Sequence, residues 1–112
     1  MSKKGKSKTG NNIMRFGEKI KYLREQNGLL QREIAAELKI DTPMYSKIEG
    51  GYRKAKRQQV LQLVKIFNAD EEELISAWLA DQVLHILKDE KYGLNSLLMV
   101  RKDLYPDSTI WI

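Results

Sequence analysis

The chain has 112 residues, of which 42% are hydrophobic and 31% charged, room for one core and too apolar for a wholly disordered chain. The absence of cysteine and the single histidine, His85, exclude a disulfide scaffold, thiolate catalysis and the usual His/Cys metal clusters. Charge is uneven: residues 1–67 hold 16 Lys/Arg against 6 Asp/Glu, a balance of +10, whereas residues 68–112 hold 4 against 9, a balance of −5.

Residues 1–13, MSKKGKSKTGNNI, have little to bury and read as a disordered basic leader. Their lysines could follow a nucleic-acid backbone, serve only solubility, or precede a native start at Met14; the inert readings are favoured. That segment lacks the apolar run of a secretory signal, and no stretch approaches the roughly 18 apolar residues of a membrane helix. The expectation is a cytoplasmic globule without a membrane partner or an evident small-molecule ligand.

From Phe16 the pattern turns helical, with Phe16, Ile20 and Leu23 at i, i+4 and i+7 and Gly28 placed for a left-handed stop. A short second helix is expected from about Gln31 to Lys39, burying Ile34, Ala35 and Leu38. A third should start after Asp41, a good N-cap, with Pro43 tolerated in its first turn and Gly50-Gly51 as its stop. The loop from Tyr52 to Arg57 carries four positive charges, at Arg53, Lys54, Lys56 and Arg57. A fourth helix, about Arg57 to Phe67, shows Val60, Leu63, Val64 and Phe67 at helical spacing. Asn68 can take a left-handed stop, and Asp70-x-x-Glu73 resembles a capping box. The fifth helix runs from about Glu71 to Lys88 with a wide apolar stripe, and a sixth is expected from about Asn95 to Leu104. Nothing alternates long enough to build a sheet.

Residues 31–55, QREIAAELKIDTPMYSKIEGGYRKA, closely resemble the helix-turn-helix of the Cro and phage-repressor (XRE) family. Gln31, Ile34, Ala35, Leu38, Ile40, Ile48, Glu49 and Gly51 fall in that family's register without gaps, and the resemblance spans about residues 15–75. It implies an all-α, five-helix lambda-repressor-like DNA-binding domain over residues 14–75. It also implies double-stranded DNA as partner, because a helix fits the major groove with its N-terminal residues against base edges.

By this resemblance Thr42, Pro43, Met44 and Lys47 face base edges. Lys47 can donate to guanine, Thr42 can bond either way, and Pro43 and Met44 offer only apolar contact. Gln31, Tyr52, Arg53, Lys54, Lys56 and Arg57 are the implied phosphate contacts, Gln31 at a helix N-terminus where an anion is favoured. Arg24 and Glu49 match positions that form a structural salt bridge between the first helix and the end of the recognition helix. Four residues depart from the pattern: Lys39 for the turn glycine, Leu30 for the Ser/Thr/Asn cap, Tyr45 for a buried Ile or Val, and Ala55 for proline. Lys39 and Leu30 should each cost about 1 kcal/mol locally.

Plainer readings compete at several positions. Met44 could be an exposed hydrophobe and Pro43 only a helix starter. The acids from Asp70 to Glu73 fit the macrodipole better than a cation site, Trp78 fits core or dimer contact, and His85 has no second ligand. Gly50-Gly51 lacks the Lys-Ser/Thr of a phosphate loop, and the neighbours Ser46 and Lys47 diverge around the helix by about 100°. Neither an enzyme nor a cofactor is expected.

The apolar residues beyond position 75 exceed what a small domain leaves in water. Residues 76–112 are therefore expected to be a helical extension that forms an isologous homodimer, a hairpin folded back on its own domain being the alternative. The function expected is a sequence-specific transcriptional regulator, a repressor or restriction–modification controller, acting on a pseudo-palindromic operator. The alternatives are a DNA-binding antitoxin, or an adaptor that binds protein through its acidic C-terminal helices.

Overall fold

A computed structural model describes residues 15–106. The leader expected over residues 1–13 and the end of the tail, 107–112, lie outside the described residues. Six helices follow in order: α1 (Phe16–Gln26), α2 (Gln31–Leu38), α3 (Thr42–Glu49), α4 (Arg57–Phe67), α5 (Glu71–Leu87) and α6 (Gly93–Leu104). Among the described residues there is no strand, and no helix is long and apolar enough to cross a membrane. The fold is all-α. The chain divides into two compact units after Asp81, within α5.

The first unit is organised by its helix ends. Four helices close in the same way, with a left-handed residue whose successor bonds to the carbonyl five residues back: Gly28, Lys39, Gly51 and Asn68 occupy these sites. At α1, Gly28 N–H donates to Glu25 and Leu29 N–H to Arg24, each at 3.0 Å. At α2, Lys39 N–H donates to Ala36 at 3.1 Å and Ile40 N–H to Ala35 at 3.0 Å. This is the Schellman arrangement, and its paired bonds offset the strain of Lys39 at φ 61°.

The helix starts are less uniform. Asp41 caps α3, its Oδ1 accepting from Met44 N–H at 2.8 Å. Leu30 has no capping oxygen, but Glu33 Oε1 accepts the Leu30 N–H at 2.8 Å, which satisfies one orphan donor from the other direction. The capping box expected at α5 forms only in half. Asp70 Oδ1 accepts from Glu72 N–H at 3.1 Å, whereas Glu73 turns to the Lys19 ammonium at 3.5 Å. Lys19 is buried, and a buried ammonium requires a partner, so the pull toward α1 outweighs the local cap.

The core of this unit joins Phe16 and Ile20, Ile34 and Leu38, Tyr45 and Ile48, Val60 and Leu63 with Leu74 and Trp78. Helix α3 packs on both α1 and α2, and α4 closes against α1 and α2. Gly17 permits the closest of these approaches. A Cβ there would collide with the carbonyl oxygen of Glu49 and lie 3.0 Å from that of Ile48, so α1 and the end of α3 meet backbone to backbone.

In the second unit α6 begins at Gly93, two residues before the expected Asn95. A Cβ at Gly93 would sit 2.7 Å from the Leu87 carbonyl oxygen, so the missing side chain lets a helix restart directly against the end of α5. Gly93 is also the one buried residue among positions 82–106.

Candidate nucleic-acid interface

Helix α3 has two faces. Tyr45, Ile48 and Glu49 are buried, while Pro43, Ser46, Lys47 and Gly50 are exposed and Thr42 and Met44 are half-buried. The structure therefore gathers Thr42, Pro43 and Lys47 along one outward stripe, with Met44 at its border. Ser46 shares that stripe and was absent from the sequence-based candidates, although its spacing of three and four from Pro43 and Thr42 would have found it.

Beyond α3 the chain stays outside. Tyr52 is 86% exposed, and Arg53, Lys54, Lys56 and Arg57 are exposed as well, so four cations crowd the segment that follows the helix. The segment is tied at its start, where Tyr52 and Arg53 N–H groups donate to the Lys47 carbonyl at 2.9 and 3.2 Å. It is tied again at Ala55, which is 1% exposed and whose carbonyl accepts the Trp78 indole N–H at 2.7 Å. The guanidinium of Arg57 lies over the same indole, 5.1 Å from the ring centroid. Trp78 sits in the core, and its partner 23 residues away left no local signal in the sequence.

A side chain from outside α3 holds the helix in place: Arg24 on α1. Its Nε donates to Glu49 Oε2 at 2.6 Å, Nη2 to Glu49 Oε1 at 3.2 Å and Nη1 to the Leu29 carbonyl at 2.9 Å. One planar fork thus joins α1, the turn before α2 and the end of α3. Gln31 completes the group, its Nε2 donating to Glu49 Oε1 at 3.0 Å. A carboxamide nitrogen has two donors, so one N–H of Gln31 remains for an anion at the α2 N-terminus.

The electrostatics follow from this packing. The bonds to Glu49 hold the Arg24 guanidinium above its ordinary pKa, against the opposing effect of burial. Burial pushes the Glu49 carboxyl up, but hydrogen bonding from Arg24 and Gln31, together with the nearness of the Tyr45 hydroxyl, outweighs it, so the net shift is downward. Tyr45 is wholly buried; desolvation first, and the adjacent Glu49 carboxylate second, raise its phenol well above the usual range. Its hydroxyl couples to that charge yet makes no hydrogen bond of good geometry.

Two short helices in close contact at a tight left-handed turn, the second with an exposed face and a capped start, form the arrangement that a family model for the helix-turn-helix domain matches over residues 17–78. That match covers more than half of the 112 residues. The chain belongs to the helix-turn-helix domain family. Membership points to a DNA-binding regulator. No curated protein and no solved structure shows a significant match to the chain. Among the described residues no group of three His, Cys, Asp or Glu side chains is placed to hold a metal ion, and His85 is exposed.

Proposed function

We propose that the chain is a Cro/phage-repressor-type (XRE) transcriptional regulator that binds double-stranded DNA sequence-specifically as a homodimer. The observation that carries the reading is the exposed stripe of α3 with an exposed cationic segment directly after it. In this reading Thr42, Pro43, Met44 and Lys47 meet base edges in the major groove, and Ser46 joins them. Gln31, Tyr52, Arg53, Lys54, Lys56 and Arg57 contact phosphates, while Arg24 and Glu49 set the angle at which α3 is presented. Repression, or control of a restriction–modification operon, follows from occupying an operator.

Residues 76–112 supply the dimer contact. Support comes from apolar side chains left in water there: Ile86, Leu94 and Met99 are each about 70% exposed, and Leu97, Leu98 and Val100 are also exposed. An isologous pair would place two copies of α3 about 34 Å apart, one turn of duplex.

Fluorescence anisotropy with a labelled duplex at increasing salt tests the reading. Each protomer offers the cations Arg53, Lys54, Lys56 and Arg57, so a dimer engaging all of them should give a slope of log K against log salt near about −7, and a monomer about −4. Binding that ignores salt contradicts the phosphate assignments, and monomeric mass by sedimentation at micromolar concentration contradicts the dimer.

A further inference from the structure

We propose that Trp78 is a positioning residue for DNA binding: it fixes the cationic segment after α3 through the Ala55 carbonyl and the Arg57 guanidinium. The inference rests on the DNA-binding reading above. It is carried by the burial pattern of residues 50–58, where every residue is exposed except Ala55. Past the backbone bonds of Tyr52 and Arg53 to Lys47, Ala55 is the residue of that run held inward, by its buried methyl group and its bonded carbonyl.

The indole nitrogen is a donor only, and a buried donor must be paired. Its 2.7 Å bond to Ala55 therefore sets where the segment lies as well as satisfying the ring. Lys54 and Lys56 flank the pinned residue and are exposed. Lys56 is extended at φ −80° and ψ 151°, so holding Ala55 inward turns its neighbours outward. Arg57 begins α4 with its guanidinium on the indole face, which orders a long side chain before any phosphate arrives. Segments ordered in advance lose less entropy on binding, so the gain appears as affinity shared by all duplexes rather than as sequence preference.

The test uses the full chain and two labelled duplexes, one enriched from a random pool and one scrambled, at temperatures well below each variant's melting point. Trp78→Phe keeps a ring beneath Arg57 and deletes the donor; it is expected to weaken both duplexes alike by about three- to tenfold. Trp78→Leu deletes ring and donor together. Arg57→Ala is expected to weaken binding by a smaller factor in the Trp78→Leu background than in the parent chain, because the ring that orders the guanidinium is already gone, and equal factors in the two backgrounds would contradict the coupling. A Trp78→Phe variant that melts earlier yet binds both duplexes like the parent overturns the inference and leaves the DNA-binding reading standing. A parent chain that binds neither duplex overturns both.

If the variants fail to fold, the parent decides by nuclear magnetic resonance. The Trp78 indole proton is expected to resist solvent exchange and to shift when duplex is added. An indole signal unmoved at saturation overturns the inference.

Discussion

Arg24 and Glu49 stand 25 residues apart in sequence and meet through two hydrogen bonds, 2.6 and 3.2 Å long, at the place where α1 receives the end of α3. Side-chain exposures of 11% and 4% make this a pair whose members depend on each other. Arg24→Ala strands the Glu49 carboxylate and should destabilise the fold by about 3 kcal/mol, the low end for a buried pair. The loss in the double variant with Glu49→Ala should be smaller than the sum of the single losses. Urea unfolding of the three variants measures both.

The same pair sets a pH dependence. Glu49 is held below its ordinary pKa in the folded chain. Such a carboxylate stabilises the fold above its unfolded pKa, about 4.3, and that contribution disappears as pH falls through the lower folded value. Wild-type stability should therefore fall more steeply below about pH 4 than that of Glu49→Gln. Parallel acid profiles for the two chains would contradict the assignment.

Gly17→Ala should be harmful despite alanine's better helix propensity. Its Cβ would collide with the Glu49 carbonyl, and neither backbone can yield without moving α3. A loss of about 1–3 kcal/mol is expected, with weaker DNA binding beyond what unfolding explains. A neutral effect in thermal melts would mean that α1 and α3 slide apart readily.

Tyr45→Phe should do the opposite. It removes a buried hydroxyl without a well-formed hydrogen bond, so stability should hold or rise by up to about 1 kcal/mol. A loss larger than about 1 kcal/mol would show that the hydroxyl bonds Glu49 in solution.

Lys47 and Lys54 divide base reading from backbone grip. Lys47→Ala should relax preference at one base pair, worth about 1–3 kcal/mol there, and leave scrambled duplexes nearly unaffected. Lys54→Ala should weaken all duplexes and reduce the salt slope by about 1 per protomer. Identical behaviour of the two variants in competition titrations would contradict the division.

Much of the architecture was legible because it is written locally. Apolar spacing, Asp41, Pro43 and the left-handed stops at Gly28, Gly51 and Asn68 each act within a turn or two, and they delimit the helices closely. The start of α6 was read late because a glycine after Tyr92 resembles a break; its role depends on the Leu87 carbonyl, a neighbour that only the fold brings close. Asp70-x-x-Glu73 has the local pattern of a capping box, and nothing local shows that Lys19, 54 residues earlier, competes for Glu73. Within the candidate site, residue types and spacing pointed to α3 and the cations after it. The bond from Trp78 to Ala55 and the backbone contact at Gly17 join distant segments, and neither has a pattern to read.

Selection of duplexes from a random pool by the full chain tests the central claim most directly. Successive rounds should enrich one sequence built of two related half-sites about one helical turn apart, and Lys47→Ala should blur it at a single position in each half. A pool that remains random after selection, with the parent chain folded throughout, would contradict the claim that α3 reads DNA.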